Sequence, residues 1–239
     1  MTSDMLRRDA VRRFGLIALA TDMTIEGDAQ RLMPPGTQLH VTRIAFDNPT
    51  TPENLRRTGP RLAEAAGLIL PGVALDGMIF GCTSASAVLG ADLDRLAGGR
   101  APLTSPLSAA RRACAALGIG SLSLLTPYIP ETTDLVGDHL EAGGLRVLAR
   151  HSMGHRDDRD MAMLTPEAVI EAALAADHPH AEALFLSCTA LPAVGVIDRI
   201  EDRLGKPVLS SNQVAFWAML AAAGVAGRGP GRLFGDRRW

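Results

Sequence analysis

Lysine is nearly missing from this chain. Among 239 residues it occurs once, as Lys206 in Leu204-Gly205-Lys206-Pro207, although arginine is plentiful. A pyridoxal phosphate enzyme needs a lysine for its Schiff base, and a helix-to-strand turn is a poor place for one. Nucleotide signatures are missing too, with no G-x-x-x-x-G-K-[ST] loop and no G-x-G-x-x-G after a strand. The chemistry is therefore expected to run without an organic cofactor. Cysteine is sparse and scattered, at Cys82, Cys114 and Cys188, which makes no disulfide framework. Neither Cys82 nor Cys188 belongs to a C-x-x-C pair. His40, His139, His151, His155, His178 and His180 have no ligand spacing, so no metal site is expected.

Long apolar runs are absent as well. None reaches the roughly 18–20 residues that span a bilayer, and Phe14 to Ala20 is too short for a signal segment and lacks a cleavage pattern. A cytoplasmic location with reduced thiols is expected. A net charge of −2 gives no electrostatic case for nucleic acid or an anionic membrane. Arg7, Arg8, Arg12 and Arg13 are interrupted by Asp4 and Asp9, as on a solvated helix face. With 47% hydrophobic and 21% charged residues, the composition is that of a soluble globular protein. The length suffices for one large core or two modest lobes.

What is present gathers around Gly81-Cys82-Thr83-Ser84. Met78-Ile79-Phe80 leads in as a buried strand, and an alanine-rich helix leads out. Free backbone N–H groups and the positive end of a helix dipole favour the thiolate there, against about 8.5 for an ordinary cysteine. Leu184-Phe185-Leu186-Ser187-Cys188-Thr189 repeats the design, with Pro192 where the next helix begins.

The rest of the chain alternates strands and helices in two matching halves. Strands are predicted over 14–20, 38–44 and 76–81, then over 121–125, 145–149, 182–187 and 208–209. Thr51-Pro52-Glu53 opens a helix running to Leu68, and Thr165-Pro166-Glu167 opens its counterpart. Residues 84–96, 107–117, 130–142, 192–204 and 213–223 are further helices; residues 1–13 read as polar and helical, and 151–163 as an irregular Asp- and Arg-rich loop. This predicts an α/β fold of two pseudo-symmetric, Rossmann-like lobes with parallel sheets and the active site in the cleft between them. The lobes are expected at 1–105 with 212–239, and at 106–211.

Each candidate residue has a bland reading beside a functional one. Cys114, in mid-helix, is a small buried hydrophobe. Cys82 and Cys188 share a context that points to catalysis. Thr83, Ser84 and Thr189 are ordinary N-caps whose hydroxyls also suit a carboxylate. Tyr128, the only tyrosine, sits at a strand mouth in Thr126-Pro127-Tyr128 that matches Asp22 in the first half. Asp22 also reads as the cap of the helix behind it. Asp157, Asp158 and Asp160 lie among arginines in a loop of the kind that covers active sites.

Several short stretches, in this order, resemble the aspartate/glutamate racemase superfamily. They are Arg12-Arg13-Phe14-Gly15-Leu16 through Thr24-Ile25-Glu26, Thr42-Arg43, Gly81-Cys82-Thr83-Ser84, Thr126-Pro127-Tyr128, Ser187-Cys188, Gly205-Lys206-Pro207-Val208 and Gly231-Arg232-Leu233-Phe234. The likeness covers nearly the whole chain and is strongest to maleate cis-trans isomerases and the related ectoine-utilisation protein. It implies a cofactor-independent isomerase or racemase acting on a small carboxylate, and a homodimer. In the isomerases one cysteine attacks the double bond as a thiolate and the other serves as acid/base. In the racemases the pair removes and returns a Cα proton from opposite faces. The resemblance implies these roles for Cys82 and Cys188, and carboxylate binding for Tyr128.

Two positions depart from the isomerase pattern. Asp22 and Asp158 stand where maleate isomerases carry asparagine. An added carboxylate repels a dianion and attracts an ammonium group, which points to an amino acid such as a diaminobutyrate from ectoine breakdown. Arylmalonate decarboxylases lack the first cysteine, so Cys82 speaks against decarboxylation. Maleate isomerisation to fumarate and non-catalytic sensing of an ectoine metabolite are the alternatives.

Overall fold

The computed structural model describes residues 11–237. Asp4, Arg7, Arg8 and Asp9 lie outside them, while Arg12 and Arg13 open a strand instead of a helix. Asp76 explains the strand start. Its carboxylate accepts from Arg12 Nη1 at 2.6 Å and from the Arg13 N–H at 2.8 Å.

The first half comprises β1 (Arg12–Leu19), α1 (Ile25–Leu32), β2 (Thr37–Ile44), α2 (Pro52–Arg56), α3 (Leu62–Leu68), β3 (Gly77–Gly81), α4 (Thr83–Leu89), α5 (Leu93–Leu96) and β4 (Leu103–Thr104). The second runs α6 (Pro106–Leu117), β5 (Ser121–Thr126), α7 (Pro130–Ala142), β6 (Arg146–Ser152), α8 (Asp158–Ala162), α9 (Pro166–Ala176), β7 (Ala183–Leu186), α10 (Ile197–Leu204), β8 (Val208–Ser210) and α11 (Ser211–Ala222). The sheets have the orders β2-β1-β3-β4 and β6-β5-β7-β8, all parallel. Adding four to each strand number of the first order gives the second, so the repeat legible in the sequence is a repeat of topology. Parallel strands covered on both faces need near-continuous apolar runs; β3, β5 and β7 are buried along their whole lengths.

Helix α11 ties the halves together. It follows β8 of the second sheet but packs against β3, α1 and α6. A helix apolar all round is a buried one; Val214, Phe216 and Leu220 are fully enclosed. One continuous core therefore runs from Phe14 and Leu16 through α11 to Leu184 and Phe185. The chain end is pinned to α10, where Glu201 accepts from the Val208 and Arg232 N–H groups. Gly231 sits at φ +76, and a Cβ there would meet Ile197 at 2.8 Å. That position requires glycine for both reasons.

Several element boundaries differ from the sequence reading. The helix predicted from Thr51 to Leu68 breaks into α2, a 3-10 turn at Gly59–Arg61 and α3, because Pro60 has no N–H to give and crowds the preceding turn. The helix predicted over 84–96 likewise bends at Gly90, φ +52. Residues 102–106 contain the edge strand β4. The strand predicted at 145–149 extends to Ser152, and the irregular segment behind it contains α8, capped by the Asp157 side chain on the Arg159 N–H. Ahead of α10, Val194–Val196 form a 3-10 turn, so the α-helix starts later than Pro192.

Candidate active site

The carboxyl ends of β1, β3, β5 and β7 converge on a small cavity of about 20 Å³. Its wall contains Cys82, Cys188, Asp22, Ser84, Tyr128, Asp158 and Thr189, with Leu19, Phe46, Thr50 and Ala190 filling the gaps. None of these residues is more than 5% exposed. The space suits about one water molecule, less than a small carboxylate fills.

Cys82 occupies the N-cap of α4, and its sulfur accepts the Ala85 N–H at 3.4 Å. Ser84 Oγ lies 3.7 Å from that sulfur. Gly81 makes the approach possible, because a Cβ there would stand 2.6 Å from Ile25 Cδ1. Cys188 follows β7 and faces Tyr128, whose phenol donates to its sulfur, while the Ala190 and Leu191 N–H groups point to it as well. Ser84 in turn hydrogen-bonds the Tyr128 oxygen.

Asp22 caps α1, accepting from the Thr24 N–H at 2.8 Å and the Ile25 N–H at 2.9 Å through one oxygen. Arg43 holds that turn in shape by donating to the Leu19, Ala20 and Asp22 carbonyls. The Thr189 hydroxyl lies between the Asp22 carboxylate and the Gly81 carbonyl. Asp158 reaches the cavity from the other half. Its carboxylate accepts from Thr21 and, at 2.7 Å, from Asn48 Nδ2. Thr83 is the one candidate that turns away. Its hydroxyl donates to Ser211 Oγ at 2.8 Å, at the start of α11.

The sequence reading passed over Asn48 and Thr50. The Thr50 N–H donates to the Arg156 carbonyl at 2.8 Å, and the Thr50 carbonyl accepts from Thr132 Oγ1 at 3.0 Å. Thr50 closes the cavity and Asn48 holds Asp158 beside it, both from a loop with no periodic signal. Asp-Asn-Pro-Thr reads as turn chemistry alone.

The electrostatics reverse one expectation. Burial pushes both the Cys82 and Cys188 thiols up to about 12, and the Asp22 carboxylate adds to the rise. The N–H groups and hydroxyls that were expected to favour the thiolate act in that direction but lose to desolvation. Asp22 is itself raised by burial, against its two backbone donors and Thr189, with the Asp158 charge adding to the rise. Tyr128 is raised by burial and by the two neighbouring sulfurs. The cavity thus favours neutral groups, and its wall contains two carboxylates and no arginine, lysine or histidine.

The family model of arylmalonate decarboxylase (Amdase) matches residues 86–234. The chain belongs to that family. A maleate isomerase of Alcaligenes faecalis is 33% identical over 114 residues, 47% of this chain and 45% of that enzyme. A maleate isomerase of Nocardia farcinica is 27% identical over 241 aligned positions, 93% of this chain and 95% of that enzyme. In structure, a Nocardia farcinica maleate cis-trans isomerase mutant with a covalently bound succinylcysteine intermediate superposes with a TM-score of 0.85. It is 23% identical, and the match covers 94% of this chain and 98% of that one. The fold, with its two four-stranded parallel sheets, is that of this structure, and the curated relatives include both maleate isomerases and an arylmalonate decarboxylase. Among the described residues, no helix is long and apolar enough to cross a membrane.

Proposed function

We propose that the chain is an isomerase of the racemase type, in which Cys82 and Cys188 act from opposite sides of a small amino acid. One observation carries this reading. The wall holding both sulfurs offers Asp22 and Asp158 but no cationic side chain. A dianion such as maleate would meet two carboxylates there, whereas an ammonium group would be held by them. A diaminobutyrate-type substrate, with one carboxylate and two amines, fits this balance.

A Cα–H is a weak acid, so the sulfur that takes its proton must act as a thiolate, a form that burial disfavours in the empty cavity and that a bound ammonium group favours. One sulfur, as thiolate, takes the Cα proton. The opposite thiol gives its proton to the other face, so the substrate regains one hydrogen and the thiolate changes sides. Tyr128 and Ser84 are placed to hold the carboxylate while negative charge spreads onto it. Burial raises the Asp22 carboxyl, and an ammonium group beside it acts in the opposite direction.

Maleate isomerisation is the second reading, favoured by the isomerase relatives and by the cysteine adduct in the Nocardia protein. Proton NMR in D2O separates the two, using maleate, both aspartate enantiomers and the diaminobutyrates. Deuterium at Cα of an amino acid is the expected result. Fumarate from maleate would replace the first reading with the second. Ligand-induced thermal stabilisation without turnover would identify a binding protein.

A further inference from the structure

A second cavity, of about 320 Å³, lies behind the cysteine site and shares none of its wall. It is bounded by α4, α5 and the turn between them on one side, and by α6 and α7 on the other. Ser108, Arg111 and Arg112 project into it from α6, three and four residues apart and so on one helix face. His139 of α7 faces them, and Ser86 of α4 forms part of the floor.

The charge here is unmatched. Among the described residues neither Arg111 nor Arg112 has an ion pair or a hydrogen bond. Asp94 is the only acid in the wall. Elsewhere the chain pairs its arginines readily, as Arg150 does with Asp134, Asp138 and Glu141. Both arginines are exposed at the rim of the cavity, and Arg111 lies along the end of α7. Its side chain fills the notch left by Gly143 at the end of α7, where a Cβ would stand 2.4 Å from Arg111 Cδ. Its charge is felt by His139, whose pKa falls through burial and through Arg111. The first turn of α6, capped by Ser105, adds the positive end of a 12-residue helix to the same space. The hydroxyls of Ser86 and Ser108 donate to the Cys82 and Ser105 carbonyls, so the two guanidiniums, with the positive end of α6 beside them, are what suit this cavity to an oxyanion.

The floor leads back to the reactive cysteine. The Ser86 hydroxyl donates to the Cys82 carbonyl at 2.6 Å, and α4 begins at the next residue. A ligand that draws on Ser86 therefore acts on the turn that aims the Cys82 sulfur.

We propose that this cavity is an effector site for a small phosphorylated or carboxylated metabolite, gripped by Arg111 and Arg112 and transmitted to Cys82 through Ser86. The test needs no knowledge of the substrate. Calorimetric titration of the whole protein with inorganic phosphate and with citrate, at fixed ionic strength set by chloride, reads the binding. Peptide-resolved mass spectrometry of iodoacetamide labelling reads the reactivity of Cys82. Saturable binding is expected for at least one of the two anions, which tells phosphate from carboxylate recognition. Replacing both arginines (Arg111→Gln with Arg112→Gln) should weaken it at least about tenfold, the scale of one lost charge-assisted hydrogen bond. The labelling rate should change at least about twofold on saturation, and Ser86→Ala should abolish that change while weakening binding less than the arginine double variant does. Unchanged binding in the double variant, or no binding of either anion, overturns the site. Binding that leaves Cys82 labelling unaltered overturns the effector role.

Discussion

The Thr189 hydroxyl donates to the Gly81 carbonyl across 3.3 Å. The residue after one cysteine is thereby fastened to the residue before the other. The same hydroxyl is the side-chain partner of Asp22, and its single proton can serve only one acceptor at a time. Thr189→Val keeps the shape and removes that proton. The expected loss is about 1–2 kcal/mol of stability, measured by urea unfolding. Turnover should fall further than stability explains, because the two strand ends lose their direct link.

Cys82→Ala and Cys188→Ala should each lower turnover by about a thousandfold or more, since a covalent or proton-transfer group has no substitute at either position. Folding should survive. Both sulfurs are buried, so each variant leaves a small void worth about 1 kcal/mol, and circular dichroism should be unchanged. Near-normal activity in both variants would remove the cysteine pair from the mechanism.

The raised thiols make a pH prediction. With both at about 12, iodoacetamide labelling of Cys82 and Cys188 should climb by about tenfold per pH unit past pH 9, without the plateau of an ordinary thiol near 8.5. Tyr128→Phe removes the donor that lowers Cys188. It should slow labelling of Cys188 at a given pH and leave Cys82 closer to its wild-type rate.

Cys82 and Cys188 were legible because they recur in matching contexts, and the doubled sheet order followed from the same repeat. The fate of Thr83 was not legible. Its neighbour Ser84 faces the cavity while its own hydroxyl meets Ser211, a contact 128 positions away in sequence. Asn48 and Thr50 escaped for a related reason: a loop's side chains are aimed by the body they dock on, here Asp158 and Arg156. The thiol chemistry was misjudged because a strand-end cysteine advertises its N–H donors, whereas the desolvation that overrides them depends on the opposite lobe.

Asp28 offers a prediction about stability. It is buried on α1, accepts from Asn212 Nδ2 at 2.8 Å, and is raised from 3.8 to about 6, by burial above all. The same Asn212 nitrogen donates to the Thr189 carbonyl at 2.8 Å. A carboxyl raised by folding holds its proton more tightly folded than unfolded. Its contribution is complete below about pH 4 and is lost as pH rises through about 6. Asp28→Asn should therefore be more stable than wild type at pH 7, by up to about 3 kcal/mol, with the difference vanishing near pH 4. Urea midpoints at the two pH values decide it, and a constant difference would mean that Asp28 does not titrate in this range.

The two carboxylates of the cysteine cavity offer the sharpest test of substrate class. Asp22 and Asp158 line the same wall, and the charge of Asp158 already raises Asp22. Asp22→Asn with Asp158→Asn removes both charges with little change of shape. Asparagine at 22 can still accept from the Thr24 and Ile25 N–H groups, and asparagine at 158 can still meet Asn48. Each removed charge is worth on the order of 1–4 kcal/mol at a few ångströms in a partly screened site. Binding of maleate should therefore strengthen at least about tenfold, while binding of an ammonium-bearing substrate weakens by a similar factor. Both constants come from calorimetry on inactive Cys188→Ala protein, which separates binding from turnover. If the double variant leaves both unchanged, the carboxylates serve only to cap α1 and seat the loop at Asn48, and selection of the substrate lies elsewhere in the cleft.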